Sequence, residues 1–149
     1  MNTGSAAAQP IATAKEREQP MRKALVVDDE REARRFVQTI LEAEGWEVAE
    51  AENGTAGLQK AKALRPALIV LDVQMPEKDG FVMFTDLIKD PDTKDIKVIM
   101  LTGVADKVGI RFSGKEMGDF LGKEPDAYAE KPIDPGAFKR VVRRVMGEK

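Results

Sequence analysis

Two continuous apolar runs, each ending in acid, constrain this chain most. The first is Lys23-Ala24-Leu25-Val26-Val27, followed at once by Asp28, Asp29 and Glu30. The second is Ala67-Leu68-Ile69-Val70-Leu71, followed by Asp72. Short unbroken apolar runs of this kind predict strands covered on both faces, as in a parallel sheet. Parallel strands place their carboxyl ends on one edge, so Asp28, Asp29 and Asp72 are expected to converge there. Carboxylates that close repel one another unless a cation lies between them. Hard divalent ions with oxygen ligands, above all Mg²⁺, suit such a cluster.

The rest of the chain alternates strand and helix patterns. The first strand spans Lys23 to Val27. A helix is expected from about Arg31 to Glu44, with Ala33, Phe36, Val37, Ile40 and Leu41 on one face, and Gly45 stopping it. The second strand is Trp46 to Ala51. Asn53-Gly54 opens a second helix that ends before Pro66. The third strand is Ala67 to Leu71, and a third helix follows Gly80 with Phe81, Phe84, Leu87 and Ile88 inward. The fourth strand is Ile96 to Leu101, and a short fifth lies near Ala127 to Glu130. The last helix starts with Asp134 as N-cap and Pro135 at its first position, with Phe138, Val141, Val142, Val145 and Met146 inward. Five strands alternating with helices give an α/β fold, a doubly wound five-stranded parallel sheet with helices on both faces. Ligands gather at the carboxyl ends of such strands, which is the acidic edge.

Two segments depart from this regularity. Residues 1–20 are small and polar, with little to bury, and predict a disordered N-terminal tail before a single domain over 21–149. The fourth helical segment is irregular, with Gly103, Gly109, Gly114, Gly118 and Gly122 between Thr102 and Asp126. Within it, Ser113 and Glu116 fit a capping box. The apolar residues Met117, Phe120 and Leu121 follow, so one short helix is expected from about Gly114 to Leu121, with Phe112 nearby. These apolar residues fit either the core or a partner surface.

Composition removes several chemistries. The chain has no Cys, hence no disulfide, thiolate chemistry or ordinary structural zinc site. It has no His, so a His–Asp or Ser–His–Asp catalytic pair is excluded, as is a phosphohistidine on this chain. A net charge of −2 argues against broad nucleic-acid binding. The basic residues Lys139, Arg140, Arg143 and Arg144 fit the solvated face of the last helix. No apolar run is long enough to span a bilayer, and the N-terminal residues lack the basic-then-apolar pattern expected of a signal peptide. No membrane association is expected, and the expected location is cytoplasmic.

Three more residues fall at the acidic edge. Thr102 closes strand four, Tyr128 lies on strand five, and Lys131 follows that strand, directly before Pro132. An Asp beside Mg²⁺, a hydroxyl and an ammonium group makes a phosphoryl-transfer site. Asp72 is the candidate nucleophile. The metal, Lys131 and Thr102 would neutralise charge on the phosphoryl oxygens. Asp28 and Asp29 would hold the metal, with a backbone carbonyl near Gln74 completing the protein ligands. Plainer readings exist for each residue: Asp28 and Asp29 as helix caps, Asp72 as a turn residue, Lys131 as a surface lysine and Tyr128 as a packed aromatic.

At these residues the chain resembles the receiver domain of two-component response regulators, of the chemotaxis-regulator type. The segments VVDDE (26–30), LDVQMPEKDG (71–80), IMLTG (99–103) and AYAEKP (127–132) carry the likeness, which covers residues 22 to about 147. The resemblance implies a flavodoxin-like sheet in the order 2-1-3-4-5. It implies that Asp72 accepts a phosphoryl group from a sensor histidine kinase or a histidine phosphotransfer protein, with Asp28 and Asp29 binding Mg²⁺. Lys131 would contact the phosphoryl group, and Lys131-Pro132 would be cis. Thr102 and Tyr128 would switch together, biasing a surface on the fourth helical segment, strand five and the last helix toward an unknown downstream protein. Dimerisation through strand five and its flanking helices remains open.

There are departures from that family pattern. Gln74 and Val104 stand at the two positions that flank the phosphoryl group, and an apolar Val104 predicts slow self-dephosphorylation. The segment from Thr102 to Lys131 is long and glycine-rich. The sequence stops at Lys149 without an effector domain, so the expectation is a stand-alone phosphoacceptor rather than a turnover enzyme. Two alternatives compete: a receiver-like scaffold independent of phosphate, and an aspartyl-nucleophile phosphohydrolase. The second usually carries a general-acid Asp where this chain has Gln74.

Overall fold

The computed structural model describes residues 22–75, 79–103 and 123–148. The expected tail over 1–20, the helix expected near 114–121 with its Ser113 cap, and Val104 and Phe112 lie outside the described residues. In chain order the elements are β1 (Lys23–Val27), α1 (Arg31–Ala43), β2 (Glu47–Ala51), α2 (Gly54–Leu64), β3 (Leu68–Asp72), α3 (Gly80–Lys89), β4 (Lys97–Thr102), β5 (Ala127–Glu130) and α4 (Pro135–Val145). All five strands are parallel and run in the order β2-β1-β3-β4-β5. This is the doubly wound sheet expected from the alternating pattern.

Successive side chains of a strand point to opposite faces, so each central strand feeds two cores. Ala24, Val26, Leu68, Val70, Ile99 and Leu101 pack on one face with Val37, Ile40 and Leu41 of α1 and Phe138 and Val142 of α4. Leu25, Val27, Ile69, Leu71, Val98 and Met100 pack on the other with Ala61 of α2 and Met83, Phe84 and Leu87 of α3. Burial on both faces is why β1 and β3 read as unbroken apolar runs rather than alternating ones.

Several helix ends follow local chemistry. Asn53 and Asp134 each accept a bond from the amide three residues on, at 2.8 Å. Pro135 occupies the first turn of α4, where a missing N–H costs nothing. Gly45 takes the left-handed conformation (φ 92°) that closes α1. The Lys131-Pro132 bond is cis.

Three expectations need correction. Asp72 is the last residue of β3 rather than the first after it, and Thr102 closes β4 as expected. Their backbones continue the ladder, with Asp72 paired to Leu101 and Thr102 to Glu130. Trp46 precedes β2, because its amide closes the end of α1 on the Leu41 carbonyl. Phe36 is 46% exposed. Residues 37, 40 and 41 already define the inward stripe, and Phe36 lies about 100° round the helix from Val37. In α3, Phe84 and Leu87 are buried as expected, Met83 joins them, and Phe81 and Ile88 pack partly buried against the same core.

Gly80 ties this architecture to the acidic edge. Its amide donates to the Val73 carbonyl at 2.8 Å. A Cβ there would lie 2.3 Å from the Asp72 carbonyl oxygen and 3.0 Å from Val73 Cα. Backbone atoms cannot step aside as a flexible side chain can. Gly80→Ala is therefore expected to destabilise the protein by about 2 kcal/mol or more, the cost of forced overpacking, read as a lower urea midpoint. An unchanged midpoint would show that this close approach is not a constraint.

Candidate functional site

Asp28 follows β1 and Asp72 ends β3, and these strands are neighbours. Parallel pairing therefore brings the two carboxylates to one edge. Asp28 is fully buried and Asp72 is 5% exposed, whereas Asp29 faces solvent. Oxygens from Asp28, Asp29 and Asp72 all lie within 4.8 Å of one another. The N-cap position of α1 is Glu30, whose side chain makes no capping bond. Asp28 instead accepts the Glu30 amide on Oδ1 at 2.9 Å. The helix-cap reading of the acidic pair is thus not what the structure shows.

Lys131 supplies the cation of this pocket. Its Nζ lies 3.1 Å from Asp28 Oδ2, 3.2 Å from Asp72 Oδ1 and 4.0 Å from Glu30. One ammonium therefore faces Asp28 and Asp72, two of the three clustered carboxylates, and Glu30. Burial and then the charge of Asp28 push Asp72 up to about 6, with Asp29 adding to the rise and Lys131 opposing it. For Lys131, burial works against the charge. The hydrogen bond to Asp28 and the charge of Asp72 outweigh it and hold the ammonium above its ordinary value.

The donor set fits a hard divalent cation. All three groups offer carboxylate oxygens, and the negative charge exceeds what Lys131 balances. Asp28, Asp29 and Asp72 would hold Mg²⁺, and Gln74, exposed two residues beyond Asp72, could add only a neutral oxygen.

Thr102 is buried, and its hydroxyl donates to the Ala129 carbonyl at 3.5 Å, the limit of a hydrogen bond. Tyr128 pairs with Met100 across the ladder, one pleat from the Thr102–Glu130 pair. The two side chains therefore project from the same face of the sheet. The Tyr128 hydroxyl is buried with no hydrogen-bond partner among the described residues. Burial, with the charge of Glu124, raises its pKa.

Two site neighbours escaped the sequence reading. Glu30 approaches Lys131 across 101 positions of sequence, which no local pattern signals. Arg34 lies one turn into α1 on what reads as a polar helix face. Its side chain is nevertheless only 12% exposed, and its guanidinium donates to the Asp28 carbonyl at 2.7 Å.

A family model for the response regulator receiver domain matches residues 24–140. A probable transcriptional regulator, ycf27 of Pyropia yezoensis, is 38% identical over 124 residues, which are 83% of this chain and 47% of that protein. The DNA-binding dual master transcriptional regulator RpaA of Synechocystis is 34% identical over 85% of this chain and 49% of its own length. The chain thus spans about half the length of these curated relatives. Among solved structures, the chemotaxis response regulator CheY4 of Vibrio cholerae superimposes with a TM-score of 0.73 at 29% identity, covering 84% of this chain and 98% of CheY4. Among the described residues, no helix is long and apolar enough to cross a membrane.

The raised Asp72 pKa has a consequence for stability. The folded state holds the Asp72 proton up to about pH 6, while the unfolded chain releases it near 3.8. Stability from this group is therefore full below pH 3.8 and is lost as pH rises through 6. The loss is on the order of 2–3 kcal/mol without metal. Asp72→Asn is expected to raise the urea midpoint in EDTA at about pH 8. Its advantage should shrink as pH falls toward 4. A variant less stable than the parent at pH 8 would contradict the charge arrangement described here.

Proposed function

We propose that this chain, which belongs to the response regulator receiver domain family, accepts a phosphoryl group on Asp72 from a phosphohistidine of a separate sensor kinase or phosphotransfer protein. The observation that carries this reading is the placement of Asp72: nearly buried, 3.2 Å from the Lys131 ammonium, within a cluster of three carboxylates. An Asp72 oxygen attacks phosphorus. The new P–O bond forms as the donor's P–N bond breaks, and the electron pair leaves on the imidazole nitrogen. Mg²⁺, when bound, supplies charge neutralisation on the phosphoryl oxygens. Asp28 and Asp29 would hold the metal, with a backbone carbonyl near Gln74 as a further ligand. Lys131 turns from Asp72 toward the new phosphoryl group, and the Thr102 hydroxyl, weakly held at 3.5 Å, is able to follow. In this reading the chain is a phosphoacceptor that catalyses its own phosphorylation and slow dephosphorylation, not an enzyme that turns over an external substrate. It works in the cytoplasm beside its kinase.

The switch reaches a partner surface through shared residues. A groove of about 490 Å³ between β5 and α4 is lined by Tyr128, Lys131, Ile133, Phe138 and Val141, among others. Lys131 thus belongs both to the acidic site and to the groove. A shift of Lys131 and Tyr128 on phosphorylation changes the groove's shape and charge, which suits control of a downstream protein partner.

Incubation with acetyl phosphate and Mg²⁺, followed by intact mass measurement, is expected to add one phosphoryl group. The adduct should require both Mg²⁺ and Asp72, so Asp72→Asn remains unmodified. It should persist for minutes or longer, and a lifetime of seconds would contradict the slow hydrolysis expected from Val104. If no adduct forms and beryllofluoride also fails to bind, the phosphate-independent scaffold becomes the better account.

A further inference from the structure

The ladder between β1 and β2 ends at the pair Val27–Ala51. Asp28 lies just beyond it, where regular pairing no longer holds the backbone. Its amide still donates to the Ala51 carbonyl at 3.1 Å. Its carbonyl takes a hydrogen bond from Arg34 Nη1 at 2.7 Å. The same guanidinium donates through Nε to Glu50 Oε1 on β2 at 3.1 Å. One planar group therefore joins α1, the end of β1 and β2, and its side chain is only 12% exposed.

We propose that Arg34, braced by Glu50, is a positioning residue that fixes the Asp28-Asp29-Glu30 turn so that its carboxylates face Asp72. Each polar group of Asp28 has an assigned partner: its amide Ala51, its carbonyl Arg34, Oδ1 the Glu30 amide, and Oδ2 Lys131. The first two fix the peptide units on either side of the Asp28 Cα, and these aim the carboxylate. Lysine cannot replace the arginine fully, since a single ammonium does not offer the planar fork that spans the two acceptors. The metal arm of this inference rests on Mg²⁺ binding at the acidic cluster.

Charge and geometry predict opposite signs. Arg34 is a cation near a cation site, so by charge alone its removal would tighten Mg²⁺ binding. Positioning predicts the reverse. Outer partners that orient metal ligands typically cost about 10-fold or more in affinity when lost. Calorimetric Mg²⁺ titration of Arg34→Ala is expected to show affinity about 10-fold weaker than the parent. Arg34→Lys, which keeps the charge, should lie between the two, and it serves if Arg34→Ala does not fold. Affinity in both variants equal to or tighter than the parent's overturns the proposal.

Amide hydrogen exchange in EDTA supplies a metal-free readout. The Asp28 and Glu30 amides of Arg34→Ala, or of Arg34→Lys, should lose protection by on the order of 10-fold while Ile69 in β3 is unchanged. Unchanged protection at Asp28 and Glu30 overturns the proposal. A parent protein that binds no Mg²⁺ would sink the metal reading of the cluster, and exchange would still decide the role of Arg34.

Discussion

Three carboxylates crowd one edge of a parallel sheet, with the Lys131 ammonium set between Asp28 and Asp72. The rest of the structure can be understood as the frame that keeps this unfavourable arrangement in place. Asp28 and Asp72 are held by neighbouring strands whose side chains are buried on both faces. Neither strand can slide without exposing its apolar residues, so neither carboxylate can retreat into water. Gly80 brings the start of α3 against the Asp72 carbonyl and closes the pocket from another side. Relief comes from Lys131, which reaches back from the cis-proline turn after β5. Burial, and then the charge of Asp28, leaves Asp72 with a raised pKa despite Lys131.

This frame also explains how a change at Asp72 could be felt elsewhere. Lys131 divides its bonds between Asp28 and Asp72 and also lines the groove beside α4. Thr102 and Tyr128 project from one face of adjacent strands. The Thr102 bond is long, and the Tyr128 hydroxyl has no partner among the described residues. Groups held this weakly cost little to move. They contrast with Asp28, whose polar groups all have partners.

The acidic edge was legible because parallel strands convert sequence position into spatial position: an acid at the end of each apolar run must meet its neighbour. Strand ends also put Thr102 and Lys131 on that edge, whereas the strand order and the switch role of Tyr128 rest on family resemblance, since a strand aromatic has ordinary packing roles. Asp72 reads as the first residue beyond its strand because a polar residue after an apolar run looks like a turn. Tertiary pairing to Leu101 decides otherwise. Phe36 was read inward from hydrophobicity alone, although Val37, Ile40 and Leu41 already fill the inner face. Arg34 was missed for the opposite reason. A basic residue on an amphipathic helix reads as solvated, and only the position of Glu50 and of the Asp28 carbonyl draws it in.

The central claim is that the carboxylate cluster is incomplete without a divalent cation. The most direct test follows backbone amide NMR signals while Mg²⁺ is added at about pH 8. A single saturable site is expected, with the largest shifts at residues 27–30, 72–75, 102–103 and 131, and its loss in Asp29→Asn. Shifts that fail to saturate, or that spread over other acidic positions such as Asp90 and Asp92 and survive Asp29→Asn, would contradict the account.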